Sequence, residues 1–246
     1  MGKSEPAKRI CFFDSGIGGL NLLNECVRKR PDCDYYYFAD NFNVPYGTLS
    51  HEEIIGLVDG FFTLISRLSP TAAVVACNTV TAECISFLRS KYLFPIIGIQ
   101  PAVKPAALVD GKCLVLSTPA TAQSAAIKSL VQKYGRGKTT VVPCIGLADY
   151  IENNIYNIEN EKVNSLLPDF KVDSVVLGCT HYAYVSEIIK ERYKCPIFDG
   201  IEGTANNFSK IIGISDHRNI GQRKITFMGG NSPKNLHIFN YLRLKQ

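Results

Sequence analysis

The feature that most restricts the fold is a regular alternation of two hydrophobic periods. Short β-branched and apolar runs at Arg9–Phe13, Tyr35–Ala39, Ala72–Ala76 and Ile96–Gly98 read as strands. Between them, Gly18–Arg30, Glu52–Leu68 and Val80–Lys91 read as helices. Leu20, Leu23 and Val27 share one face of the first, and Ile54, Val58, Phe61, Phe62 and Ile65 are among the apolar positions of the second. The pattern then restarts, with strands expected at Lys112–Ser117, Thr139–Val142, Ser174–Leu177 and Ile197–Phe198. Helices are expected at Thr121–Tyr134, through much of Leu147–Leu166, and at Tyr184–Tyr193. A helix at Thr204–Ile212, a strand at Lys224–Met228 and a helix at Pro233–Leu244 close the chain. Such alternation predicts an α/β fold with mainly parallel sheets and helices on both faces. The restart predicts two α/β lobes of similar plan.

Composition excludes several alternatives. With 246 residues, the chain suits one large domain or two smaller ones. The net charge of +5 comes from scattered Lys and Arg, apart from short clusters such as Arg28-Lys29-Arg30, so no nucleic-acid footprint is expected. No apolar run reaches the roughly 18 residues of a membrane span. MGKSEPAKRI lacks the apolar core of a signal peptide, so a cytoplasmic location is expected. Nine cysteines without a CxxC pair argue against a disulfide framework or a zinc site.

Two of those cysteines stand apart. AAVVACNTV and VDSVVLGCTHY each end an apolar strand in a cysteine beside polar residues, at Cys77-Asn78-Thr79 and Cys179-Thr180-His181. In open parallel sheets, ligands gather beyond the carboxyl ends of strands. A thiol there precedes a helix, whose N-terminal field favours thiolate. His181 can supply Cys179 with charge or a proton. Two further clusters fall at strand ends. FFDSGIGGL places Asp14 and Ser15 before Gly16, Gly18 and Gly19, but matches neither the dinucleotide nor the phosphate-loop pattern. ADNFNVPYGTLS carries a Pro45-Tyr46-Gly47 turn, with Tyr46 read as packed and wet at its hydroxyl. Paired thiols facing one another across a cleft suit the inversion of a stereocentre, because one base removes a proton from one face and an acid returns it on the other. Ser15, Asn78, Thr79 and Thr180 have the right chemistry to hold the substrate carboxylate.

Taken together, DSGIGG, VPYG, ACNT and LGCTHY, in this order and spacing, resemble the cofactor-independent glutamate racemases of the aspartate/glutamate racemase superfamily. The resemblance runs from about Arg9 to the end of the chain. It implies two α/β lobes with the active site in the cleft between them, drawn as residues 1–98 with 205–246 and residues 99–204. It implies interconversion of L- and D-glutamate, supplying D-glutamate for peptidoglycan, without cofactor or metal. Cys77 and Cys179 would be the acid/base thiols, assisted by Asp14, His181 and Glu152. Asp14, Ser15, Pro45, Tyr46, Gly47, Asn78, Thr79, Thr121, Thr180 and His181 would contact substrate. STPATAQS matches a family segment through Thr118, Thr121 and Ser124. The expected partners are the small-molecule substrate and a second copy in a homodimer, with neither nucleic acid nor membrane. Departures from the family pattern are Gln100, Ile127, Ala183 and the pair Asp199-Gly200. The alternatives are a racemase for aspartate or another amino acid, a non-catalytic binding protein that keeps the fold (a gyrase-binding role among them), and a thiol hydrolase using Cys179 and His181. The last leaves Cys77 without a task.

Overall fold

The computed structural model describes residues 7–213, 224–229 and 232–244. The first half of the chain runs β1 (Lys8–Asp14), α1 (Leu20–Lys29), β2 (Cys33–Ala39), α2 (His51–Ser66), β3 (Ala72–Val75), α3 (Asn78–Lys91) and β4 (Ile96–Gly98). After α4 (Val103–Ala106) come β5 (Cys113–Ser117), α5 (Pro119–Gln123), α6 (Ala125–Tyr134), β6 (Thr139–Pro143), α7 (Leu147–Asn154) and α8 (Asn160–Leu166). Then follow β7 (Ser174–Leu177), α9 (Ser186–Tyr193), β8 (Ile197–Phe198), α10 (Ile201–Ile212), β9 (Ile225–Met228) and α11 (Ser232–Leu244). The strands form two sheets, ordered β4-β3-β1-β2-β9 and β6-β5-β7-β8. Every pairing in both is parallel, as the alternation predicts.

Strand alternation divides each sheet's core into two layers. From β1, Ile10 and Phe12 point into a layer filled by Leu23, Val27, Phe208 and Phe239 of α1, α10 and α11. Cys11 and Phe13 point the other way, onto Ile54, Val58, Phe62 and Leu88 of α2 and α3. In the second sheet, Leu114, Leu116, Val175 and Leu177 face α7 and α9, whereas Val115 and Val176 face Val103 and Ile127. Among the described residues, no helix is long and apolar enough to cross a membrane.

The observed elements differ from the hydrophobic period in three places, and local capping chemistry explains the first. The helix expected over Thr121–Tyr134 is broken at Ser124, whose backbone is extended (φ −61°, ψ 147°). Ser124 caps α6 by accepting from Ile127 N, while Thr118 caps α5 by accepting from Thr121 N. The segment after Cys179 is a 3-10 turn, Thr180–Val185, and α9 begins only at Ser186. The run Leu147–Leu166 is two helices, α7 and α8, separated by residues 155–159.

Candidate active site

The site lies where the carboxyl ends of the two sheets meet. β1 ends in Asp14, β3 leads into Cys77, and β7 leads into Cys179. Cys77 and Cys179 are 6% and 7% exposed, and they are close enough that charge on Cys179 raises the pKa of Cys77. The two thiols lie within electrostatic reach of each other, and both are covered from solvent. The cavity of about 320 Å³ that reaches this region is lined by Asn78 and Thr121, with Gln100, Ile127 and Lys133, and not by either sulfur.

Around Cys77, Ser15 Oγ lies 3.6 Å from the sulfur. The expectation of a thiolate favoured by the following helix fails at this residue. Val80 N–H at the start of α3 does act in that direction. Burial, and then the carboxyl of Asp14, outweigh it and push the Cys77 thiol up to about 12. Asp14 is itself fully buried, and burial raises its carboxyl to about 6 against the opposing pull of His181. Gly16 N–H donates to its Oδ1 at 2.8 Å, and its Oδ2 has no hydrogen-bond partner among the described residues.

Asp14 is expected to cost stability. Its folded pKa lies above the unfolded value of 3.8, so the folded state favours the neutral acid. The penalty grows as pH rises from 3.8 through about 6 and is complete above that. Asp14→Asn should therefore be more stable than the unsubstituted chain at pH 8 by about 1–3 kcal/mol, with the gain vanishing near pH 4. Urea unfolding at the two pH values measures this. Equal differences at both would show that Asp14 ionises freely.

Around Cys179 the chemistry is different. His181 Nδ1 lies 3.8 Å from the Cys179 sulfur, and its Nε2 lies 2.8 Å from Glu152 Oε2. That carboxylate oxygen also accepts from Ile17 N–H at 2.9 Å. Burial alone would lower the pKa of His181, but Cys179 and Glu152 outweigh it and hold the imidazole well above its usual value. Burial would likewise raise Glu152, but His181, the Ile17 amide and Lys234 hold it below the usual range. The two shifts agree in direction: the 2.8 Å contact between His181 and Glu152 favours a protonated imidazole and an ionised carboxyl.

The glycine-rich loop after β1 is what lets this pair reach across. A Cβ on Gly16 would run into the Glu152 carboxylate, and one on Gly18 would meet Thr180 Oγ1 and His181 Nδ1. The loop carbonyls are pinned as well, Gly16 O by Tyr37 OH at 2.9 Å and Ile17 O by Tyr184 OH at 2.8 Å. The loop's amides are thus taken by two of the protein's own carboxyl groups, Asp14 and Glu152.

Of the remaining expected residues, Thr79 and Thr121 join in a buried hydroxyl cluster. Thr79 Oγ1 is 2.9 Å from Thr118 Oγ1 and 3.3 Å from Thr121 Oγ1. Gly47 packs directly on Thr118. Asn78 is 4% exposed, and its Oδ1 has no hydrogen-bond partner among the described residues. Pro45 precedes a short 3-10 turn, Tyr46–Thr48. Tyr46 is not wet at its hydroxyl: it is buried and donates to Asp40 Oδ2 at 2.6 Å. Asp40 also accepts from the side chain of Asn43, so it organises the whole turn. Asp40 and Lys234 were not singled out from the sequence. Asp40 had a weak signal, an acid closing a strand shortly before the turn. Lys234 had none.

Two buried thiols thus lie at the strand ends of two parallel sheets, one beside Ser15 and Asp14 and the other beside His181 and Glu152. Residues 15–207 match the family described as Asp/Glu/Hydantoin racemase. A glutamate racemase of Clostridium acetobutylicum is 38% identical, over 87% of this chain and 88% of the relative. Among solved structures, glutamate racemase isoform RacE1 of Bacillus anthracis superposes with a TM-score of 0.78 at 28% identity, covering 96% and 94% of the two chains. Escherichia coli glutamate racemase, solved with L-glutamate and an activator, shares the fold with a TM-score of 0.82 at 24% identity, covering 95% and 96%. The chain therefore belongs to the Asp/Glu/Hydantoin racemase family, with glutamate racemases as its similar relatives, and is an isomerase.

Proposed function

We propose that this enzyme interconverts L- and D-glutamate by a two-thiol proton transfer at the α-carbon, and that its D-glutamate supplies peptidoglycan synthesis. The observation that carries the reading is the meeting of Cys77 and Cys179 at one interface, each with its own polar escort. One thiolate takes the α-proton from one face of the substrate. The C–H electron pair passes into a carbanion-like state spread into the carboxylate, and the opposite thiol delivers a proton to the other face. Burial and Asp14 keep Cys77 in its thiol form near neutral pH, so Cys77 is the acid of the resting pair. His181 beside Cys179 shares the proton on the other side. Ser15, Asn78, Thr79, Thr121 and Thr180 supply donors for the substrate carboxylates, with Pro45, Tyr46 and Gly47 forming the wall beside them.

The thiols are covered in this arrangement, so substrate entry requires the lobes to part. Residues 99–204 would move as one body against the remainder. Incubating the protein with L-glutamate in deuterated water should yield D-glutamate carrying α-deuterium. Parallel incubations with L-aspartate and other L-amino acids set the specificity. Exchange with aspartate but not glutamate would move the assignment to a sister racemase, and no exchange with any amino acid would refute the catalytic reading.

A further inference from the structure

Lys234 lies on α11, 82 residues downstream of Glu152, and its ammonium holds that residue at two points. Nζ donates to the Glu152 carbonyl oxygen at 2.8 Å and lies 3.4 Å from the carboxylate Oε1. Glu152 is in the last turn of α7, where backbone carbonyls lack helical partners. Lys234 therefore closes a helix end and places a positive charge beside the buried carboxylate in one contact. The carboxylate's other oxygen is committed to His181 and the Ile17 amide.

We propose that Lys234 is a positioning residue for racemisation: by clamping Glu152 it sets the place and charge of His181 at Cys179, and so couples α11 to one half of the catalytic pair. This inference rests on the two-thiol reading above. The chain of contacts is short and buried. Glu152 and His181 side chains are 4% and 2% exposed, whereas Lys234 is 27% exposed. Other groups facing the pair do not duplicate the role. Asp14 on β1 is a second acid, whose own pKa Glu152 helps to raise, and the hydroxyls of Tyr37 on β2 and Tyr184 in the 3-10 turn are spent on loop carbonyls. Among the described residues, no other lysine or arginine reaches Glu152.

The test uses the full chain carrying Lys234→Met or Lys234→Arg. Racemisation of L-glutamate is followed by circular dichroism across pH 6–10, with thermal unfolding alongside and ¹⁵N-imidazole NMR of His181 assigned through His181→Asn. Lys234→Met should lower kcat by about 10- to 100-fold with little change in KM. It should also move the pH profile upward by ~1 unit, since losing the ammonium lets Glu152 protonate at higher pH and leaves its charge less offset beside the His181 imidazole. Lys234→Arg should recover most of the profile. The His181 signal should titrate at higher pH in Lys234→Met than in the unsubstituted chain, because the Glu152 carboxylate no longer shares its charge with an ammonium. Activity lost only in proportion to unfolded protein, with an unmoved pH profile and an unmoved His181 titration, would reduce Lys234 to a helix anchor and overturn the proposal. If the unsubstituted chain racemises nothing, the two-thiol reading fails by itself, and the His181 titration alone still decides whether Lys234 sets the pair.

Discussion

Cys77→Ala and Cys179→Ala should each cut glutamate racemisation by ~10³-fold or more, measured by circular dichroism at saturating substrate. The two thiols occupy equivalent places, at the carboxyl ends of β3 and β7, but they have different neighbours. Cys77 has Ser15 and Asp14, and Cys179 has His181 and Glu152. Inversion needs a proton removed on one face and returned on the other, so neither set can replace the other. Removing one sulfur leaves only a small void, costing about 1 kcal/mol, and both variants should remain folded. Turnover at the unsubstituted rate in either variant would refute the two-base assignment. Loss in Cys179→Ala alone would favour the hydrolase-type use of Cys179 with His181.

Glu152→Gln should lower kcat by about 10²- to 10⁴-fold and destabilise the fold by roughly 3 kcal/mol near pH 6. The glutamine keeps the shape but not the charge. Its one oxygen can still serve His181 Nε2 and Ile17 N–H, as Oε2 does now, but its amide NH2 then faces the Lys234 ammonium and the imidazole of His181 loses its counter-charge. The stability effect has a defined pH window. Glu152 has a lowered folded pKa, so its contribution is present above the unfolded value of 4.5 and is lost as pH falls through the folded one. His181 has a raised folded pKa, so its contribution is full below the unfolded value of 6.5 and is lost as pH rises through the folded one. The pair is therefore worth most between 4.5 and 6.5. Urea unfolding at pH 5.5 and pH 9 should show a larger gap between variant and unsubstituted chain at the lower pH. A gap independent of pH would mean that the pair is not ionised in the folded protein.

Much of the fold follows from periodicity, because strand alternation and helical spacing are local properties of the chain. β1, β3, β4 and β7 fall within a residue or so of the expected runs for that reason. The breaks at Ser124 and after Cys179 were hidden, because a capping serine and a 3-10 turn leave the apolar period almost undisturbed. The two cysteine-bearing strand ends were equally legible, since residue type and position at a strand end are both written in order along the chain. What surrounds each thiol was not. The rise of Cys77 to about 12 comes from burial and from Asp14, and burial depends on both lobes packing over the sulfur. The loop glycines marked a close approach, but not that Glu152 is what approaches Gly16.

Order along the chain thus determined the parallel two-sheet architecture and the paired thiols, through hydrophobic period and motif spacing alone. The tertiary structure decided their surroundings: that burial and Asp14 hold Cys77 toward its thiol, that Glu152 and Cys179 hold the His181 imidazole well above its usual range, and that Lys234 and Asp40 contact the site. Those properties arise from desolvation and charge–charge distance, which change steeply over a few ångströms and join residues as far apart as Ile17 and Glu152 or Glu152 and Lys234.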